Sequence, residues 1–187
     1  DAVAARTFKL LYHNERKPDA THFVTTEDGW TLALHEYRPP QGTTRKRPVI
    51  CCHGLSGNHH SFDLTARTSL VRFLAAAGHP TFALDLRGAG ASEKGGLSRA
   101  KPLHWKLSDH YRYDAPAAVN RARQLTGVDR IHWVGHSMGG MIAYAFLQGK
   151  LAQQIERVVI LASPATFTFL RPLDRFGPMM KLLPGLP

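Results

Sequence analysis

Cysteine is nearly absent from this chain of 187 residues: there are two, Cys51 and Cys52. Adjacent side chains on a strand point to opposite faces, so these two cannot bridge and read as small core residues. That usage fits a reducing compartment and favours a cytoplasmic location. Long hydrophobic runs are also missing. Stretches such as Met141 to Leu147 and Val158 to Ala162 fall far short of the roughly 18 residues that argue for a membrane span. No transmembrane segment is expected, and the segment reads as soluble. No leader of basic, apolar and then small residues stands near the start. The chain opens on Asp1 and closes on Leu182-Leu183-Pro184-Gly185-Leu186-Pro187 without a polar tail, so both ends read as cut.

Two further absences narrow the function. Eleven histidines are present, yet no His-x-x-x-His pair falls on a helix and no Cys/His set has zinc spacing, so no metal site is expected and no cofactor is implied. The formal net charge is +10, but Lys and Arg are spread along the chain, and the tightest cluster, Arg45-Lys46-Arg47, stops at Pro48. No basic stripe interleaved with stacking aromatics appears, which excludes nucleic acid as the expected partner. Oligomeric state has no signature in the sequence.

What is present is a run of alternating elements. Thr21 to Thr25 and Trp30 to His35 are strand candidates joined by Glu27-Asp28-Gly29, and Asp-Gly between β-rich runs signals a hairpin. Pro48-Val49-Ile50-Cys51-Cys52 is apolar without alternation, as suits a parallel strand buried on both faces. Leu64 to Ala77 has helical spacing, with Gly78 as its stop. Pro80 to Leu86 is the next strand, a Gly- and Lys-rich loop runs from Gly88 to Pro102, and a second helix spans about Asp114 to Leu125, with Asp114 as its cap. A strand at Arg130 to Val134, a helix from Met141 and a buried strand at Arg157 to Ala162 follow. Alternation after a hairpin predicts an α/β fold with a mainly parallel sheet. Beyond Ser163-Pro164 the pattern changes to prolines and spaced apolar residues, among them Phe167, Phe169, Leu170 and Phe176. This segment reads equally as a lid or as an ordinary core helix.

The chemistry sits at Gly135-His136-Ser137-Met138-Gly139, between that strand and that helix. A G-x-S-x-G pentapeptide in this context is a nucleophile elbow: the serine stands on a sharp strand-to-helix turn with its hydroxyl clear of the backbone. Ser137 is the candidate nucleophile. It needs a histidine to take its proton and a carboxylate to orient that histidine. His53-Gly54-Leu55-Ser56-Gly57 follows the third strand, where such a fold places the loop that donates one oxyanion-hole amide. Leu55 is the candidate first donor, with plain packing as its other reading, and Met138, the residue after the serine, is the second. Asp85 and Arg87 read as loop-organising residues.

Three blocks together resemble the serine hydrolases of the α/β-hydrolase superfamily, in the lipase and esterase branch. They are His53-Gly54-Leu55, Asp85-Leu86-Arg87-Gly88-Ala89-Gly90-Ala91-Ser92, and the elbow. The stretch from Tyr113-Asp114-Ala115-Pro116 to Gly135-His136-Ser137 is similar to the acid-lipase group, departing from its usual glutamine at Met138, a change that leaves the backbone donor intact. The resemblance implies an α/β-hydrolase fold in which residues 21–163 supply six of eight strands and the C-terminal strands are missing. Residues 1–163 would be the N-terminal part of the core, and 164–187 the start of a cap. It also implies that the triad acid and histidine follow later strands. No histidine follows Ser137, and Glu156 and Asp174 are the only acids there.

The expected activity is therefore cleavage of a small-molecule, lipophilic carboxylic ester through an acyl-enzyme on Ser137. Acyl transfer, peptide cleavage and a non-catalytic binding protein of the same fold are the alternatives.

Overall fold

Strands β1 (Ala20–Thr25) and β2 (Thr31–Tyr37) form the antiparallel hairpin, closing with Thr25 opposite Thr31. In the computed structural model, which describes residues 17–43, 46–65, 67–93 and 104–165, Gly29 occupies the turn at φ +87°, a conformation that only glycine adopts without steric cost. β2 then pairs antiparallel with β4 (Thr81–Asp85), and from there the sheet is parallel through β3 (Val49–Cys52), β5 (Ile131–His136) and β6 (Ile155–Leu161). The spatial order is β1-β2-β4-β3-β5-β6. The chain leaves β3 toward β4 on one side and leaves β5 toward β6 on the other. Where neighbouring parallel strands send their connections in opposite directions a crevice opens at their C-terminal ends, the usual place for a ligand in open α/β sheets.

Both faces of the central strands are covered, which explains their unalternated apolar sequences. Helix α1 (Leu70–Ala76) packs Val71 and Ala75 onto Tyr37, Val49, Cys51, Ala83 and Val134. The other face holds Ile50, Cys52, Phe82, Leu84 and Trp133. They lie beneath Ala118 and Val119 of α3 (Ala115–Thr126) and Ile142 and Phe146 of α4 (Met138–Phe146), the short turn α2 (Leu107–Asp109) lying further back in the chain. Cys51 and Cys52 therefore point to opposite sides, both free and fully buried, and burial pushes both thiols far above their ordinary pKa. Among the described residues no helix is long and apolar enough to cross a membrane.

Three expectations change. The helix read from Leu64 begins only at Leu70, because Ser69 stops the preceding turn and caps the helix by accepting the Arg72 N–H. Asp114 is not a helix cap: a π-helical turn, His110–Asp114, runs into α3, and the Asp114 carboxylate faces inward to Arg87 and His110. Within this chain β6 is not buried on both faces: Val159 and Leu161 are 50% and 39% exposed, while Val158 and Ile160 pack against the core. Residues 166–187, most of the segment expected to start a cap, lie outside the described residues.

Candidate active site

Ser137 joins β5 to α4 at φ +51° and ψ −113°, a backbone conformation that costs of order 1–3 kcal/mol for a residue with a Cβ. It persists because its surroundings leave no alternative. The Ser137 N–H donates to Leu161 O on β6 (2.9 Å), and the Ser137 carbonyl accepts the N–H groups of Gly140 and Met141. The buried Trp133 indole on β5 donates from Nε1 to Gly139 O (3.1 Å), tying the strand to the helix beyond the turn. The glycines of the motif are where backbone meets backbone. A Cβ on Gly135 would lie 2.5 Å from Gly139 C, and one on Gly139 would lie 2.8 Å from Cys52 C and 2.9 Å from His53 O.

The loop after β3 lies directly against this turn, since Cys52 and Gly135 are register partners. A Cβ on Gly54 would come within 3.0 Å of the Ser137 Cβ and 3.2 Å of His136 Nδ1. Leu55 follows, 53% exposed, so packing of its side chain is not what holds it there. Among the described residues its N–H has no acceptor. Met138 is the first residue of α4, and the first N–H groups of a helix have no intrahelical acceptor. The two amides chosen from sequence are thus unengaged among the described residues, Met138 following Ser137 in the chain and Leu55 following Gly54, the residue that abuts the Ser137 Cβ.

His53 fixes the loop. Its Nδ1 faces Gly54 O (2.7 Å) and its Nε2 faces the Leu86 N–H (3.2 Å). A carbonyl only accepts and an N–H only donates, so the ring is the neutral Nδ1–H tautomer. Burial lowers its pKa, against the Gly54 carbonyl and Asp85, which favour the charged form. With both nitrogens engaged His53 is not available as a base for Ser137, and among the described residues no side chain hydrogen-bonds the serine hydroxyl.

Asp85, at the end of β4, organises the rear of the site. Its carboxylate accepts the backbone N–H of His59 (2.6 Å) and of Ala91 (2.7 Å), and it faces His35 Nε2 (2.9 Å) and His59 Nδ1 (3.0 Å). Burial acts to raise its pKa, but the bonds from His35 and His59 outweigh that and hold it well below the usual carboxylate range. Arg87 is equally committed: it bonds Asp114 through Nε (2.9 Å) and Nη2 (2.7 Å), and Asp28 through Nη1 (2.6 Å). Both residues act as loop organisers. Sequence reasoning missed His35 and His59, which lie 50 and 26 residues from Asp85, and no local spacing links positions that only the sheet brings together.

The sequence profile of the alpha/beta hydrolase fold family matches residues 47–181. Lipase lipl-1 of Caenorhabditis elegans is 33% identical over 143 residues, covering 70% of this chain and 34% of that protein. Lipase member K of Homo sapiens is 33% identical over 177 residues, covering 88% of this chain and 43% of its own. The chain thus spans less than half the length of these curated relatives. A solved hydrolase from Pseudomonas aeruginosa superposes with a TM-score of 0.59 over 89% of this chain and 54% of that one, at 21% identity, a likeness of fold. The profile match takes in the loop after β3, the β4 loop and the elbow, and on it the chain belongs to the alpha/beta hydrolase fold family.

Proposed function

We propose that the chain carries the nucleophile half of a carboxylic ester hydrolase of the lipase and esterase type. The observation that carries this reading is the position of Ser137, held at φ +51° beside a loop whose Leu55 amide is unengaged. The Ser137 hydroxyl oxygen attacks the acyl carbon, and the carbonyl oxygen takes the charge. The Leu55 and Met138 N–H groups receive that oxyanion, and losing one such donor costs about 3–4 kcal/mol of transition-state stabilisation. The alkoxide leaves with a proton from a histidine, and water then releases the acid. By the family resemblance that histidine and its carboxylate partner follow later strands, after Ser163. The apolar sequence from Phe167 onward, expected from the resemblance to start a cap, and the lipase relatives support a lipophilic acyl group.

A fluorophosphonate probe on the full-length protein tests this. Stoichiometric capture at Ser137, lost in Ser137→Ala, with a burst of alcohol from an activated ester, is the expected result. A folded protein that is neither labelled nor turns over ester would instead be a binding protein of the same fold. Equal turnover by Ser137→Ala would remove the serine from the mechanism.

A further inference from the structure

We propose that His35, His59 and Asp85 form a binding site for one divalent transition-metal ion of the zinc type, with His35 Nε2, His59 Nδ1 and Asp85 Oδ2 as its ligands. The three donor atoms lie within 4.8 Å of one another. Oδ2 is 2.9 Å from His35 Nε2 and 3.0 Å from His59 Nδ1. Ligands at about 2.0–2.1 Å around a tetrahedral ion stand roughly 3.3 Å apart, so each oxygen–nitrogen separation needs to open by only a few tenths of an ångström, and the His35 and His59 rings, stacked with centroids 3.7 Å apart, must splay to point both nitrogens at one ion. Two imidazoles and one carboxylate suit zinc, cobalt, nickel or iron, and not calcium or magnesium, which require more oxygen. Water would complete the shell.

The surroundings match what a metal site needs beyond its ligands. A ligating imidazole is oriented by a hydrogen bond from its other nitrogen, and His35 Nδ1 lies 2.9 Å from Thr21 Oγ1 on β1. With the ring proton on Nδ1 and donated to Thr21, the Nε2 lone pair is turned toward the cluster. The carboxylate is held by the His59 and Ala91 N–H groups, one on each oxygen, leaving a lone pair of Oδ2 for the ion. Gly90 wraps so closely, at φ +51°, that a Cβ there would meet Oδ1 at 2.5 Å, and the carboxylate has no room to swing away. His35 and Asp85 are buried, while the His59 side chain is 12% exposed, so an ion reaches the cluster from the His59 side. The bound ion would link β2, the end of β4 and the 3-10 turn His59–Phe62 that follows the loop carrying Leu55.

The same three side chains also make a plain hydrogen-bonded latch, with imidazole N–H groups donating to Asp85, and the experiment separates the two. The full-length protein, stripped with chelator and dialysed, is titrated with Zn2+ by calorimetry and with Co2+ by visible absorption. We expect one saturable equivalent and the d–d bands of a four- or five-coordinate cobalt ion. His35→Gln and His59→Gln should each weaken binding by about tenfold or more, a loss that even outer-shell changes produce, and His60→Gln should not. Absence of saturable binding overturns the proposal. So does binding that both variants retain at full strength, which would place the ion at other histidines. If the variants fail to fold, imidazole 15N spectra of the wild type decide. On addition of Zn2+, coordination shifts one Nε2 and one Nδ1 from the two rings that face Asp85, and unmoved signals mean a latch only.

Discussion

Gly139→Ala tests whether the elbow is built by backbone contact. Gly139 is the second residue of α4 and its φ is not left-handed, so alanine's backbone is allowed; space alone opposes it. The new Cβ would lie 2.8 Å from the Cys52 carbonyl carbon, where carbon atoms ordinarily sit about 3.5–4.0 Å apart. The start of α4 and the end of β3 must therefore separate by about 1 Å. β3 cannot yield, because it is paired on one side to β4 and on the other to β5. Overpacking of this kind costs about 1–3 kcal/mol, and the upper end applies where the obstacle is fixed backbone.

Alanine's better helix propensity returns about 1 kcal/mol. The net loss is about 2 kcal/mol, a fall in Tm of roughly 4–8 °C for a chain of this size. The serine and the loop donor are displaced relative to one another by the same 1 Å, an error that costs on the order of 100-fold in rate. Denaturant melts and the rate of fluorophosphonate labelling read the two effects. Gly149→Ala is the control, its Cβ meeting only Phe146 O at an ordinary 3.7 Å. A Gly139→Ala protein as stable as wild type and labelled at the same rate would show that β3 and the elbow are not in rigid contact, and the account of the site would fail.

Three other outcomes follow from the same geometry. Because the folded pKa of His53 is lowered by burial, its contribution to stability is full above the unfolded value of about 6.5. That contribution is lost as pH falls below it, so wild type minus His53→Gln, measured by melts from pH 8 to 5, should shrink as the solution is acidified; a constant difference refutes the neutral-ring assignment. Arg87→Met leaves the buried Asp114 without its cation and should cost about 3–5 kcal/mol, with Arg87→Met/Asp114→Asn costing less than the sum of the two single changes in denaturant melts. Ser137→Gly should be more stable than Ser137→Ala by about 1 kcal/mol in denaturant melts, since relief of about 1–3 kcal/mol of strain outweighs glycine's extra unfolded-state entropy of about 0.5–1 kcal/mol; a Ser137→Gly protein less stable than Ser137→Ala would mean that the turn is not strained.

What sequence reasoning could reach was set by how local the determinants are. The Asp28-Gly29 hairpin, the unalternated run at Val49–Cys52 and the elbow glycines act within a few residues of themselves, and all three are legible as written. Element ends were less so: the helix read from Leu64 yields six residues to a turn, because the Ser69 cap competes with apolar spacing and wins. Asp114 resembles a helix cap by type and position, and only the arrival of Arg87 and His110 across the fold turns its carboxylate inward. β6 shows the same limit. Val159 and Leu161 are as apolar as the central strands, and nothing in their order tells an exposed face from a covered one.

The parts that escaped the sequence are those that make the site rigid. A serine held at φ +51° relaxes unless every neighbour resists. Here the resistance comes from the Leu161 carbonyl on β6, the Trp133 indole on β5, the Cys52 carbonyl on β3 and the glycine faces between them. The loop carrying Leu55 is fixed in turn to β4, through His53 to the Leu86 amide and through the His59 amide to Asp85. The proposed nucleophile and oxyanion loop are thus anchored to four adjacent parallel strands, with the bent turn leading from β5 into α4. Oxyanion stabilisation depends on donors that need no reorganisation during the reaction, and on the proposed reading that rigidity would come from the sheet more than from the G-x-S-x-G motif. Transplanting the pentapeptide alone into another strand-turn-helix should therefore leave its serine unlabelled by a fluorophosphonate, and rapid labelling there would show that the motif is sufficient without the strands that brace it.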